Sequence, residues 1–236
     1  MLQEGVLAIP RLSIGAIEEE LEMTFQVALI GLDGTILGSD RKMTNRSPRA
    51  SDAVPFDQTE ETKKFFQSPD DAIIACFAGS LSAQQLAREI VLHGDPLVPG
   101  VAWESWVHAT AINIQSRGSD EVLIARKAFP TEILKAVSGV GASRVHTRVC
   151  TGAIVPASFL TQHFAQNRSV ESLAKLALLT LSFASMEAPS GVSGSFDLAI
   201  LTASGVQWES FGEGDARVKE IHERFQVAAL ASIYED

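Results

Sequence analysis

The order of elements along the chain predicts an α+β layered fold, with two antiparallel sheets enclosed by helices. Three observations predict it. Strands and helices come in runs instead of strict alternation, which argues against a parallel βαβ sheet. Residues 72–78 (AIIACFA) are almost entirely apolar, so both faces of that strand must be covered. Residues 170–186 (VESLAKLALLTLSFASM) are apolar on more than one face, as in a helix sandwiched between a sheet and a further surface such as a neighbouring subunit.

Each element follows from local pattern. Residues 24–41 read as a hairpin, because Val27, Leu29, Ile36 and Leu37 are strand formers flanking the Asp33-Gly34 turn signal. Residues 42–61 are polar, contain two prolines and read as a loop. Residues 63–67 and 72–78 read as strands. Ser82 reads as a helix N-cap with Gln85 completing a capping box, and Ala83, Leu86, Ala87, Ile90 and Val91 recur at helical spacing. A second helix spans about 102–117 on the spacing of Trp103, Trp106, Val107, Ala111 and Ile114. Strands follow at 121–126 and 145–151, with irregular sequence between. Helices at about 157–165 and 170–186 precede a hairpin, 196–202 and 206–210, that turns across Ala203-Ser204-Gly205. A helix over about 215–233 closes the chain.

Composition narrows the function classes. The chain has 236 residues, 46% hydrophobic and 20% charged, ordinary values for a globular protein. Its net charge of −10 argues against nucleic acid or an anionic membrane as partner, because those surfaces demand clustered Lys and Arg. Cys76 and Cys150 sit in apolar strand-like sequence and read as reduced core thiols. No metal-ligand spacing involves them, and neither a metal nor a cofactor is expected. There is no run of about 18 apolar residues to span a membrane. The first 22 residues lack the basic start and long apolar stretch of a secretory signal, so the cytoplasm is the expected location.

The chemistry-bearing residues are Thr24, Asp40 and Lys64. A threonine at a chain's N-terminus can be nucleophile and base at once, its hydroxyl attacking while its own α-amine takes the proton. That amine has an ordinary pKa of about 7.7–8.0. A neighbouring lysine would help to keep it neutral, and an aspartate could hold the lysine in place. Plainer readings stand beside these. Thr24 alone is an ordinary strand residue, Asp40 a turn residue and Lys64 a solvated one. Arg41 and Lys42 read as exposed charges at a strand end. Cys76 reads as a small buried hydrophobe, since no histidine pattern accompanies it. His93, His108, His146, His163 and His222 read as structural or exposed. Ser190 and Ser193 read as loop residues, and Trp103 with Trp106 as core or subunit interface.

Residues 24–29 (TFQVAL) through Asp33-Gly34 to 38–44 (GSDRKMT) resemble the start of a mature proteasome β-type subunit, a pattern shared by HslV and smaller bacterial proteasome-like groups. So do 63–67 (KKFFQ) with 73–79 (IIACFAG), and 169–172 (SVES) with 193–202 (SGSFDLAILT). The resemblance implies the four-layer αββα sandwich of the N-terminal-nucleophile hydrolases, assembled into rings, and threonine peptidase chemistry. Under it, Thr24 supplies the attacking Oγ and the α-amino base. Lys64 raises the hydroxyl's acidity, and Asp40 pairs with Lys64. The backbone N–H of Cys76 falls at the oxyanion position, and Thr44 lines the substrate cleft. Three departures accompany it. A family glycine is replaced by Cys76. Ala153 stands where a serine normally supports the amine. Residues 188–193 (APSGVS) lack the usual aspartate, leaving Ser190 or Ser193 as auxiliary candidates.

The chain divides into an N-terminal extension, 1–23, and a single proteasome-like domain, 24–236. The extension must be absent for the chemistry, since an amide nitrogen is no base. Self-cleavage before Thr24, translation from Met23 with removal of that methionine, and permanent retention are the three readings. The expected function is a self-compartmentalising threonine peptidase acting through an acyl-enzyme on Thr24. Its expected partners are identical subunits in a ring and a peptide or unfolded protein, with an ATPase unfoldase left open. The alternatives are a non-catalytic ring-forming subunit and an amidase of the same fold acting on a small molecule.

Overall fold

The computed structural model describes residues 24–46, 57–78, 81–115, 120–127, 131–152, 155–189 and 191–234. Sheet one has five antiparallel strands in the order β10-β1-β2-β11-β12. They are β1 (Gln26–Ile30), β2 (Gly34–Asp40), β10 (Arg148–Thr151), β11 (Phe196–Thr202) and β12 (Gly205–Phe211). Sheet two has five more in the order β5-β6-β7-β8-β9: β5 (Phe65–Gln67), β6 (Ile73–Ala78), β7 (Glu121–Arg126), β8 (Glu132–Val137) and β9 (Gly141–Val145). Helices α1 (Leu81–His93) and α2 (Gly100–Asn113) cover sheet two. Helices α3 (Val155–Phe164) and α4 (Val170–Glu187) cover sheet one, and α5 (Ala216–Tyr234) packs along α4. This is the expected four-layer αββα sandwich.

Three apolar layers hold it together. Outward-facing residues of sheet one, including Val27, Leu29, Ile36, Leu198 and Ile200, pack under α4 through Leu173, Ala177 and Leu181. Ile73, Ala75, Phe77, Val122 and Ile124 of sheet two pack under Leu86, Ile90, Trp103 and Val107. The alternate residues Ala28, Leu37, Ile74, Cys76, Leu123, Ala125, Ala199 and Leu201 meet between the sheets. Because side chains alternate faces along a strand, these assignments also fix which residues face inward nearer the sheet's end.

The row one step beyond that apolar layer in sheet one is polar. Thr151, Gln26, Ser39, Asp197 and Ser210 are register partners across all five strands. Thr151 Oγ1 donates to Gln26 Oε1, and Ser210 Oγ donates to Asp197 Oδ1. Gln26 Nε2 is buried with no hydrogen-bond partner among the described residues.

Three expectations are corrected. Within residues 42–61, β3 (Lys42–Arg46) and β4 (Asp57–Glu61) form an antiparallel ribbon outside both sheets. Strand pairing there is carried by the backbone, without the alternating apolar side chains that mark a half-buried strand. The stretch before residue 145 is the hairpin β8–β9, turning at Gly139 (φ +74°) and Gly141 (φ +129°). Ser82 lies inside α1 and is not its N-cap. The cap of α4 is Ser169, whose hydroxyl accepts from Ser172 N.

Candidate active site

Thr24, Asp40 and Lys64 come together where the two sheets meet. The β1–β2 register pairs Gln26 with Ser39. One step outward, Phe25 therefore faces Asp40, and Asp40 N donates to Phe25 O (3.3 Å). Phe25 N in turn donates to Asp40 Oδ1 at 3.0 Å. Thr24 thus leaves sheet one beside a carboxylate fixed by its own neighbour. Lys64 arrives from sheet two, just before β5, and its carbonyl accepts from Phe77 N of β6. Its Nζ lies 2.7 Å from Thr24 Oγ1 and 3.3 Å from each Asp40 carboxylate oxygen.

The Asp40 and Lys64 side chains are 0% and 2% exposed. Burial pushes the Lys64 amine down from the ordinary lysine value, against the pull of Asp40. Burial also pushes the Asp40 carboxyl up, opposed by the Lys64 charge and by the N–H groups of Phe25, Lys42 and Ser193. Each shift by itself favours an uncharged group, and geometry decides between the two forms. Oδ1 accepts from Phe25 N and Lys64 Nζ (3.0 and 3.3 Å), and Oδ2 from Lys42 N, Ser193 N and Lys64 Nζ (2.8, 3.4 and 3.3 Å), so donors already occupy the roughly four lone-pair sites of a carboxylate, an arrangement that favours its charged form. The pair is therefore carboxylate and ammonium. An ammonium at 2.7 Å donates to Thr24 Oγ1 and favours that oxygen as it becomes an alkoxide. It cannot also take the hydroxyl proton. That task needs a second base, and the nitrogen nearest in the chain is that of Thr24 itself.

The other expected site residues are placed as follows. Cys76 lies mid-strand in β6, its side chain 0% exposed. Because Phe77 N donates to Lys64 O, ladder alternation turns the Cys76 N–H toward its β7 partner Leu123. That N–H is committed to the sheet, which corrects its assignment to an oxyanion position. Burial pushes the Cys76 thiol up, consistent with an inert core cysteine. Thr44 lies in β3 opposite Thr59. Ser190, Ala153 and residues 1–23 fall outside the described residues. Ser193 reaches Asp40 through its N–H. Its hydroxyl donates to Ser195 O (2.9 Å) and accepts from Arg41 N (3.3 Å) and Ser195 N (3.1 Å).

Arg41 is not the exposed charge its position at a strand end suggests. Its Nε and Nη2 both donate to the buried Asp197 carboxylate, at 2.9 and 2.6 Å. The signal was present as an aspartate inside the apolar strand 196–202 (FDLAILT). Gly152 is a residue to which the sequence reading gave no role. It has φ +97°, and a Cβ there would stand 2.8 Å from the Thr24 carbonyl oxygen, so only glycine lets β10 run this close to Thr24. Two described cavities lie elsewhere, one of about 480 Å³ between α4, α5 and β12 and one of about 350 Å³ at the β1–β2 turn.

Comparison with known proteins bears on the fold. No family model and no curated protein matches the chain. Among solved structures, it is similar to Anbu (a Gly-1 mutant) from Hyphomicrobium sp. strain MC1, with TM-score 0.71, 12% identity, and 90% of this chain and 97% of that one covered. Anbu from Yersinia bercovieri, described as an ancestral beta-subunit, aligns with TM-score 0.69 and 12% identity over 90% and 97% of the two chains. The helical assembly of the Anbu complex from Pseudomonas aeruginosa gives 0.68 and 15% over 89% and 95%. These neighbours correct the resemblance drawn from sequence. They are Anbu proteins, where the motifs pointed to proteasome β-type and HslV subunits.

Proposed function

We propose that this chain is a self-assembling subunit whose Thr24, once its α-amine is free, hydrolyses peptide bonds. The amine takes the Oγ proton as Oγ attacks the scissile carbonyl carbon, then gives that proton to the departing nitrogen. The resulting ester on Thr24 is opened by water, with the amine again as base. Lys64 stabilises the developing charge on Oγ, and Asp40 holds Lys64 in place. The observation that carries the chemical part is the 2.7 Å approach of the buried Lys64 Nζ to Thr24 Oγ1.

Assembly rests on different support. The similar structures include a protein described as a beta-subunit and a helical assembly, and those descriptions speak of subunits, not of substrates. The comparisons therefore favour the assembling subunit more directly than the peptidase. Repeated head-to-tail contacts give rings when the rotation closes and helices when it does not, so either form fits such a chain. A non-catalytic subunit is the competing reading. It is favoured by the Ser193 hydroxyl being turned to Ser195 and Arg41, and by the Cys76 N–H being held in the ladder.

Intact mass and N-terminal sequencing of purified protein separate the two readings, since a retained 1–23 segment contradicts the peptidase. With Thr24 exposed, Thr24→Ala is expected to abolish both turnover of fluorogenic peptides and labelling by threonine-directed epoxyketones. Survival of either activity sinks the mechanism. Native mass tests assembly, and a monomer counts against it.

A further inference from the structure

Asp40 stands where the chain leaves sheet one. Arg41 lies between the end of β2 and the start of β3, which joins a separate ribbon. A carboxylate at such an exit needs its backbone held. Arg41 does this twice over. Its N–H donates to Ser195 O at 3.1 Å and to Ser193 Oγ at 3.3 Å. Its guanidinium makes a two-pronged bond to Asp197, a geometry that fixes direction as well as distance. Asp197 is carried on β11 between β2 and β12, and Ser210 Oγ holds it at 2.6 Å from β12. The carboxylate that anchors Arg41 is therefore itself mounted on an interior strand of the sheet.

We propose that Arg41 and Asp197 are a positioning pair, which aims the Asp40 carboxylate at Lys64 and through it sets Lys64 against Thr24 Oγ1. This rests on the reading of Thr24 as the nucleophile. Neither residue touches a reacting atom. The groups around Lys64 are Asp40, Cys76 and Lys42, and those around Arg41 are Asp197 and Glu61. Displacing Asp40 leaves Lys64 facing Lys42 with less opposing charge, so Lys64 gives up its proton more readily.

Arg41→Lys, Arg41→Met and Asp197→Asn, made in the full assembly with Thr24 exposed, test it. Arg41→Met is expected to lower kcat by about 10- to 100-fold, the scale of a small misplacement in a catalytic constellation. KM should stay within about twofold, because no substrate contact is removed. The alkaline fall of the rate should move to lower pH. Arg41→Lys keeps the charge but loses the fork, and should fall between wild type and Arg41→Met. Hydrogen exchange followed by mass spectrometry should show faster exchange at Phe25, Lys42 and Ser193, whose N–H groups donate to Asp40. Folded variants of native mass with wild-type kcat and pH profile overturn the pairing. If Arg41→Met does not fold, Arg41→Lys carries the same test. If wild-type protein with free Thr24 neither turns over peptide nor takes the label, the peptidase reading fails, and the exchange measurement alone decides. Unchanged exchange at those amides then overturns the pairing, and faster exchange supports it.

Discussion

Two ion pairs start from neighbouring residues at the end of β2 and do different things. Asp40–Lys64 joins the two sheets and is shut off from water at both ends, its side chains 0% and 2% exposed. Arg41–Asp197 stays on sheet one, with the arginine 28% exposed and the aspartate 2%. Taking two charges out of water costs more than their attraction returns unless further hydrogen bonds complete the site. Asp40 has such completion from three backbone N–H groups. Lys64 aims its remaining donation at Thr24 Oγ1. The inner pair is costly to build and touches the hydroxyl, whereas the outer pair is cheaper and touches only protein.

That contrast can be broken most forcefully at its inner end. Lys64→Met leaves the Asp40 carboxylate buried and uncompensated, and is expected to destabilise the fold by about 3–5 kcal/mol. Arg41→Met leaves Asp197 its bond from Ser210 and removes a partner that was itself partly exposed, so the expected loss is about 1–3 kcal/mol. Chemical denaturation of the two variants side by side checks the order, and equal losses remove the distinction. Removing both inner charges, as Asp40→Asn with Lys64→Met, should recover more than half of the single variant's loss while leaving turnover absent.

Acidity sharpens the contrast further. Burial lowers Lys64 below its ordinary 10.5, so in the folded protein it loses its proton at lower pH than free lysine does. Arg41 is held above the ordinary arginine value, mainly by its bonds to Asp197, and stays charged throughout the working range. The rate should rise with pH as the α-amine is deprotonated, near its ordinary value of about 8. It should fall again as Lys64 is neutralised, below the lysine range. A rate that stays flat up to pH 10.5 argues against a functional Lys64 ammonium. Salt gives the smallest effect. Raising ionic strength from about 0.1 to 1 M shortens the screening length from about 10 to 3 Å. It should weaken the partly exposed outer pair slightly and spare the inner one. Thermal shifts of the Arg41→Met and Lys64→Met variants across that range measure it.

Much of the layering was legible because it is written in period. Strands β1, β2, β6, β11 and β12, and helices α1, α2, α4 and α5, show apolar spacing that a single segment carries by itself. Thr24, Asp40 and Lys64 were legible by residue type and order. The ribbon β3–β4 was not, since its pairing is a backbone property of two polar segments. Arg41 was misread for a related reason. A charge at a strand end looks solvated until the buried acceptor, 156 positions away, is brought beside it. The Cys76 N–H was misassigned because which neighbour a strand amide faces depends on ladder alternation, known only once β5 and β7 are in register.

By itself, then, the sequence determined the α+β class, the identity of the three side chains that meet at the candidate site and the net charge of −10. These follow from composition and from spacing within short segments. Only the tertiary structure decided that Lys64 of one sheet meets Asp40 and Thr24 of the other. It also decided that Arg41 is anchored and that a polar row lies beside them. Those are contacts between strands far apart in the chain, and their distances are set by sheet register and layer packing.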